Sequence, residues 1–368
     1  MTAMKRGRLR WWIIGLVMLG TSLNYLTRAT LGVAAPTVLA DLHIGPREYS
    51  WITGAFQLGI MFQPVAGYML DSIGLRTGMA LAAGAWAIVT AAHGLATGWS
   101  MLLGLRGALG LAEGTAHPGG LKVVAEWFPA RERGLAGGIY NIGASIGSMV
   151  APPLVAVSIL LFSWRAAFFV TGALAGIWAL AWYILYRSPG QHRGLSEAER
   201  THIAEGREAH LAPDARPSIG ELLRQRNLWG IALPRLLADP TWGTLTFWLP
   251  LYLSTVRGFD LKQIALTAWL PFVAADIGCL FGPVVALWLQ RRGVGLINAR
   301  RGAFTLGALM MTSMMFVGSV SSPYAAIALL CVGGFAHQTL SVTCITLASD
   351  LFPPRSVGTV AGIAGTFA

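Results

Sequence analysis

Several small groups of polar residues lie inside runs that are otherwise apolar, and they are where this chain could do chemistry. Asn24, Tyr25 and Arg28 share one stretch; spacings of three and four put them on one helix face. An arginine there offers a planar fork suited to a carboxylate, or it pairs with another helix. Glu113 and His117 are four apart in a second stretch, with Arg106 seven residues before Glu113. Glu113 is either fixed by Arg106 or is a buried carboxyl group able to carry a proton. A third stretch reads Pro234-Arg235-Leu-Leu-Ala-Asp239-Pro240-Thr-Trp242. Arg235 and Asp239, four apart, are spaced to pair with each other. The two prolines are expected to break the helix and free carbonyls toward a cavity. Trp242, Trp248 and Tyr252 follow, as packing or as a sugar platform. His337, Gln338, Ser341 and Thr343 put hydrogen-bonding groups at helix spacing. Asn141 and Ser145, one turn apart, either face a cavity or hold glycine-rich helices together. Asp276 is placed to pair across its bundle, with no further role assigned.

What positions these groups follows from composition. Of 368 residues 55% are apolar and 12% charged, with 45 Gly and 14 Trp; the mean hydropathy is +0.59. Soluble domains carry about a quarter charged residues, so a soluble domain, a disordered chain and a coiled coil are excluded. Cys279, Cys331 and Cys344 lie in apolar runs without CxxC spacing, which leaves no disulfide or metal framework. No Walker motif, HExxH or nucleophile elbow occurs, and no cofactor is called for. The apolar runs are long enough to cross a bilayer as helices. They fall near 11–36, 49–70, 77–97, 99–127, 134–160, 164–186, 229–254, 263–289, 302–320 and 323–350, with an eleventh starting near Val357. Each ionisable group inside a span costs roughly 2.5–3.5 kcal/mol on insertion scales and is therefore a functional candidate. The first run resembles a signal peptide in position, but its length and its central Asn24 and Arg28 make it a retained helix.

The net charge of +11 orients the chain and needs no nucleic-acid partner. Nineteen of the 27 Lys and Arg fall in one set of loops, and four (Arg47, Arg165, Arg257, Lys262) in the opposite set. The arginine-rich set is expected to face the cytoplasm, with the N-terminus and the long central loop on that side.

Six spans in 1–186, a polar linker at 187–228 and further spans in 229–368 form the layout of the major facilitator superfamily, two six-helix bundles related by an axis along the membrane normal. On that layout the last two helices are absent or truncated in this chain. Gly67-Tyr-Met-Leu-Asp71-Ser-Ile-Gly74-Leu-Arg76 resembles the superfamily's G-x-x-x-D-[RK]-x-G-[RK]-[RK] gating motif. Gly67 would let two helices approach. Asp71 would cap a neighbouring helix start, and Arg76 would supply the counter-charge. Ser72 and Leu75 replace two expected basic residues. A degraded second copy runs from Gly282 to Arg291 and Arg292, at the matching place in the second half.

A narrower resemblance rests on Asn24-Tyr25-Leu26-Thr27-Arg28, Gly120-Leu121-Lys122 with Glu126-Trp127-Phe128-Pro129, Trp229 to Arg235, Trp242-Gly243-Thr244, and Gly333 to Gln338. These strings, spread over the whole length, are similar to the anion:cation symporter family, in particular its bacterial aldohexuronate transporters. The resemblance implies import of an anionic sugar acid by proton symport, through alternating access, in the inner membrane. Tyr25 and Arg28 match the family's substrate-carboxylate residues and Glu113 its proton carrier. Asn141, Ser145, Trp242, Trp248, His337, Gln338 and Ser341 are the remaining substrate candidates. Many members have Asp where this chain has Thr27, which leaves coupling to Glu113, alone or with His117. The expected partners are the small anion, protons and lipid, with a single protomer as the unit.

The residues alone favour the same class. A central Arg suits an anion and repels a cationic drug, a central Glu offers a proton, and clustered amides and hydroxyls suit sugar hydroxyls. Two other classes compete. A membrane-embedded enzyme would need a nucleophile beside Glu113 and His117. A non-transporting sensor would bind ligand without moving it. Another organic anion, an aldarate or aldonate, is the alternative cargo.

Overall fold

The computed structural model describes residues 8–367 apart from 206–217, 246–248, 250–251, 254–255, 260–262, 264–266, 268 and 354. Every regular element among them is helical. The first half contains α1 (Leu9–Asp41), α2 (Pro46–Ile60), α3 (Gln63–Ile73), α4 (Leu75–His93), α5 (Trp99–Glu113), α6 (Ala116–Trp127), α7 (Ala130–Leu161) and α8 (Trp164–Leu185). Two short linker helices follow, α9 (Glu197–Glu205) and α10 (Ile219–Leu223). The second half contains α11 (Arg226–Gly243), α12 (Leu270–Arg291), α13 (Leu296–Met311), a 3₁₀ turn (Thr312–Phe316), α14 (Pro323–Leu351) and α15 (Val357–Thr366).

Two of the runs read as single spans are each divided in two. The second divides at Met61-Phe62, just before Pro64, which has no N–H to donate; the fourth divides at Gly114-Thr115, ahead of Pro118. Helical bonding carries through both joints, with Met61 N–H on the Gln57 carbonyl and Gly119 N–H on that of Thr115. The opposite correction applies to α11. It runs unbroken through Pro234 and Pro240, because the missing N–H groups cost two rungs while the rest of the ladder and the flanking packing persist. Helices α4, α7, α8, α12 and α14 are long and apolar enough, by length and composition, to cross a membrane.

Helix α1 packs on α7 and α8, α4 on α5 and α8, and α2 on α5, making one bundle; α11, α12 and α13 pack around α14, making the other. Helix α7 is the seam. A Cβ at Gly143 or Gly147 would overlap the carbonyls of Met18 or Ser22 on α1. A Cβ at Gly138, on the other side, would overlap the Cys279 carbonyl on α12. Small residues thus let α7 hold backbone contact with both bundles. Helices α3 and α6 meet α15 at the second seam. Outward faces are apolar and open, for example Leu81 and Ile88 on α4 and Ile177, Leu180 and Ile184 on α8; water-soluble monomers rarely expose large apolar faces. The linker is tied to the first bundle. Glu199, fully buried, accepts from the Leu9 and Arg10 backbone and from the Arg10 guanidinium at 2.8 Å, and Arg10 also reaches Glu132 at 2.9 Å.

Candidate functional site

Helix α1 brings its polar face against the end of α5. Both oxygens of the Glu113 carboxylate are taken by α1: Thr27 Oγ1 donates at 2.8 Å and Arg28 Nε at 3.3 Å. The alternative pairing with Arg106 does not form; Arg106 instead donates to the Arg28 backbone carbonyl at 3.3 Å. Arg28 also donates to Asn24 Oδ1 at 3.3 Å, and its guanidinium lies 4.6 Å from the Tyr25 ring centre and 5.2 Å from that of Phe56. The ion pair is lopsided. The Glu113 side chain is wholly buried, while that of Arg28 is 31% exposed. His117 sits beyond the joint between α5 and α6, tilted against the Tyr140 ring at 6.0 Å. The buried polar atoms Asn24 Nδ2, His117 Nε2 and Tyr140 Oη have no hydrogen-bond partner among the described residues. Buried polar groups are usually paired, and the contact of His117 with Tyr140 sets two of these unpaired groups side by side.

On α11 and α14 of the second bundle an acid pairs within its own half. Asp239 accepts from Arg235 Nε at 3.2 Å, the i,i+4 pair expected from spacing, and faces His337 Nε2 at 3.0 Å. Trp242 stacks on His337 at 5.4 Å and meets Phe272 edge-on at 5.5 Å. Ser341 is buried one turn beyond His337 on α14. Trp248 lies outside the described residues.

Asn141 and Ser145 reach across the seam. Asn141 Nδ2 donates to Gln338 Oε1 at 3.1 Å and to Cys279 Sγ at 3.6 Å, and Ser145 Oγ donates to Asp276 Oδ1 at 2.5 Å. Both side chains therefore bridge helices of opposite bundles along the seam.

The end of the molecule carrying the arginine-rich loops is shut by two buried ionic clusters. In the first, a Cβ at Gly67 would overlap the Gly358 carbonyl, so α3 and α15 touch backbone to backbone. Asp71 then accepts from the Thr359 N–H at 2.9 Å and its hydroxyl at 2.7 Å, capping the start of α15, where unpaired N–H groups and the helix dipole favour an anion. Its counter-charge is Lys122 at 2.6 Å, which corrects the expectation for Arg76: that side chain donates to the Tyr183 carbonyl at 2.9 Å and stacks on the Tyr183 ring. Gly74, at φ 85° and ψ 153°, makes the bend between α3 and α4 in a region open only to glycine.

The second cluster escaped sequence reading. Asp350, at the end of α14, accepts from Arg133 Nη1 of α7 at 3.2 Å and from Arg300 Nε of α13 at 3.1 Å. Arg133 also donates to the Ser349 carbonyl, and Arg300 reaches back to the Ala130 carbonyl at 3.2 Å. All three side chains are at most 2% exposed. One signal was available: Asp350-Leu-Phe-Pro353 repeats Glu126-Trp-Phe-Pro129 of the first half.

Two helical bundles joined along a polar seam, closed at one end by motif contacts and buried ion pairs, define a membrane carrier fold. The chain belongs to the major facilitator superfamily, whose family model matches residues 17–368. Among curated relatives it is 48% identical over 361 residues to the hexuronate transporter of Escherichia coli (strain K12), covering 97% of this chain and 84% of that protein. It is 47% identical over 324 residues to the galacturonate transporter of Dickeya chrysanthemi, covering 87% and 94%. The fold is similar to crystal structures of the human organic anion transporter MFSD10 (TM-score 0.69, 17% identity, 97% and 90% covered) and of FucP in the outward conformation (0.69, 12%, 96% and 87%).

Proposed function

We propose that this chain imports an anionic sugar acid, a hexuronate such as galacturonate or glucuronate, by proton symport through alternating access. The observation that carries the proposal is Arg28, whose side chain stays one-third exposed while bonded to the buried Glu113. A substrate carboxylate presented to Arg28 competes with Glu113 for the same guanidinium. A buried carboxylate deprived of its cation is too costly to remain charged, so Glu113 takes a proton as the anion binds. Anion and proton then favour each other's binding by the same factor, as linkage requires. Tyr25 and Asn24 flank the carboxylate end. His337, Gln338, Ser341, Trp242, Asn141 and Ser145 supply the groups for the sugar hydroxyls and ring, and Glu113 is the proton carrier with His117 next in line.

In this reading the arginine-rich end faces the bacterial cytoplasm, in keeping with its excess of basic residues, and the Asp71 and Asp350 clusters are the cytoplasmic gate. The names of the relatives at 47–48% identity support the choice of hexuronate. The test is uptake into proteoliposomes with a panel of labelled sugar acids, with and without an inward proton gradient. Galacturonate or glucuronate should accumulate only with the gradient, and neutral galactose should not compete even in large excess. Competition by galactose would refute the anion reading, and preference for an aldarate would reassign the cargo.

A further inference from the structure

A second basic site lies outside the seam, where the start of α4 meets the end of α8 and the loop after it. Arg76, Arg187, His192 and Arg193, with Ile184, Leu185, Gln191 and Gly194, line an open groove of about 620 Å³. Among the described residues no carboxylate lines it. Asp71, the acid nearest in sequence to Arg76, is held by Lys122 and Thr359.

The arginines are positioned rather than loose. Arg76 Nε and Arg187 Nη1 donate to the same oxygen, the Tyr183 carbonyl, at 2.9 and 3.1 Å. Arg187 also donates to the carbonyls of Ile184 at 3.0 Å and Tyr186 at 2.8 Å. Two guanidinium groups therefore stand side by side at the end of α8. The helix terminus offsets only about half an elementary charge, so most of two positive charges is left uncompensated. Burial, and after it the neighbouring Arg187, hold the His192 ring below its ordinary titration range. The exposed Arg193 adds a third guanidinium.

The wall beside the groove is greasy. Ile184 and Leu185 are 58% and 56% exposed, and the strip continues along the same two helices through Leu180, Ile177, Leu81 and Ile88. In a membrane chain such a strip meets acyl chains, and basic pockets at the ends of spans accept lipid phosphates. A soluble anion would use the arginines alone; a phospholipid uses the arginines and the strip together. We propose that this pocket binds the phosphate headgroup of an anionic phospholipid, with its acyl chains along the α4–α8 face.

The purified chain in detergent is titrated with phosphatidylglycerol or with phosphatidylcholine, and bound lipid is counted by native mass spectrometry. Phosphatidylglycerol should be retained preferentially. Arg193→Gln should weaken its retention roughly 5-fold, the effect of removing one arginine from an anionic lipid surface, and Arg76→Gln with Arg193→Gln should weaken it more. Arg291→Gln, on the same basic end of the other bundle, should leave retention unchanged. Monodispersity and melting temperature identify any variant that misfolds; Arg193, exposed on a loop, carries the test alone if the double variant does. Equal retention of the two lipids, or an equal loss in Arg291→Gln, overturns the proposal. Displacement of the lipid by millimolar inorganic phosphate assigns the pocket to a free phosphate and overturns it too.

Discussion

Replacing Glu113 by Gln tests the coupling scheme at its centre. Gln has nearly the volume of Glu and keeps one acceptor for the Thr27 hydroxyl, now 2.8 Å from Glu113 Oε1. What it removes is the charge that holds Arg28 Nε at 3.3 Å. A hydrogen bond to a charged group contributes about 1.5–3 kcal/mol. The long contact and the 31% exposure of the Arg28 side chain put this one at the lower end. Freed from the competing carboxylate, Arg28 should bind the substrate anion more tightly by about 1.5 kcal/mol, roughly tenfold in dissociation constant. The variant also mimics a permanently protonated carrier, so net proton movement stops. In proteoliposomes, accumulation driven by a proton gradient should vanish while exchange of internal for external substrate persists, and calorimetry should give the tighter binding. Accumulation against a gradient by Glu113→Gln would show that the proton travels elsewhere. Unchanged affinity would show that Glu113 and the substrate do not compete for Arg28. Loss of exchange as well would make Glu113 a structural residue.

Arg28→Lys keeps the charge but loses the bidentate fork, and half-saturation for a hexuronate should worsen by an amount equivalent to about 1–3 kcal/mol, read from initial uptake rates. Asp350→Asn leaves Arg133 and Arg300 buried without their shared anion, which should destabilise the closed basic end by about 3 kcal/mol; alkylation of a cysteine introduced at the buried Ala130 should speed up in that background. Gly67→Val drives a side chain into the Gly358 carbonyl, an overpacking cost of about 1–3 kcal/mol borne by the closed form alone. Uptake should fall while calorimetric binding of substrate survives.

Hydropathy and charge placed much of this protein without a structure. The span at 164–186 became α8 and that at 323–350 became α14 within a residue or two, because burial in lipid is a property of each segment and is written in its own residues. Local spacing was equally legible. Asn24 with Arg28 and Arg235 with Asp239 meet as i,i+4 pairs, since a helix brings such neighbours together whatever surrounds it. The expected break at the α11 prolines failed for the converse reason: packing outweighed a local preference.

Which distant charges meet was decided by tertiary structure alone. Glu113 had Arg106 on its own helix and took Arg28 from 85 residues away. Asp71 had Arg76 five residues on, past the Gly74 bend, and took Lys122, while Arg76 turned to α8. Asp350 gained its meaning only when Arg133, 217 residues distant in sequence, crossed the seam to it. The sequence by itself determined that the chain lives in a membrane, roughly where its apolar spans lie and which groups are costly inside them. The partner each costly group finds depends on how every helix is rotated and how closely glycines such as Gly138 and Gly67 let neighbours approach. That choice belongs to the packed bundles, because a charge in low dielectric pairs with whatever opposite charge the packing brings within reach.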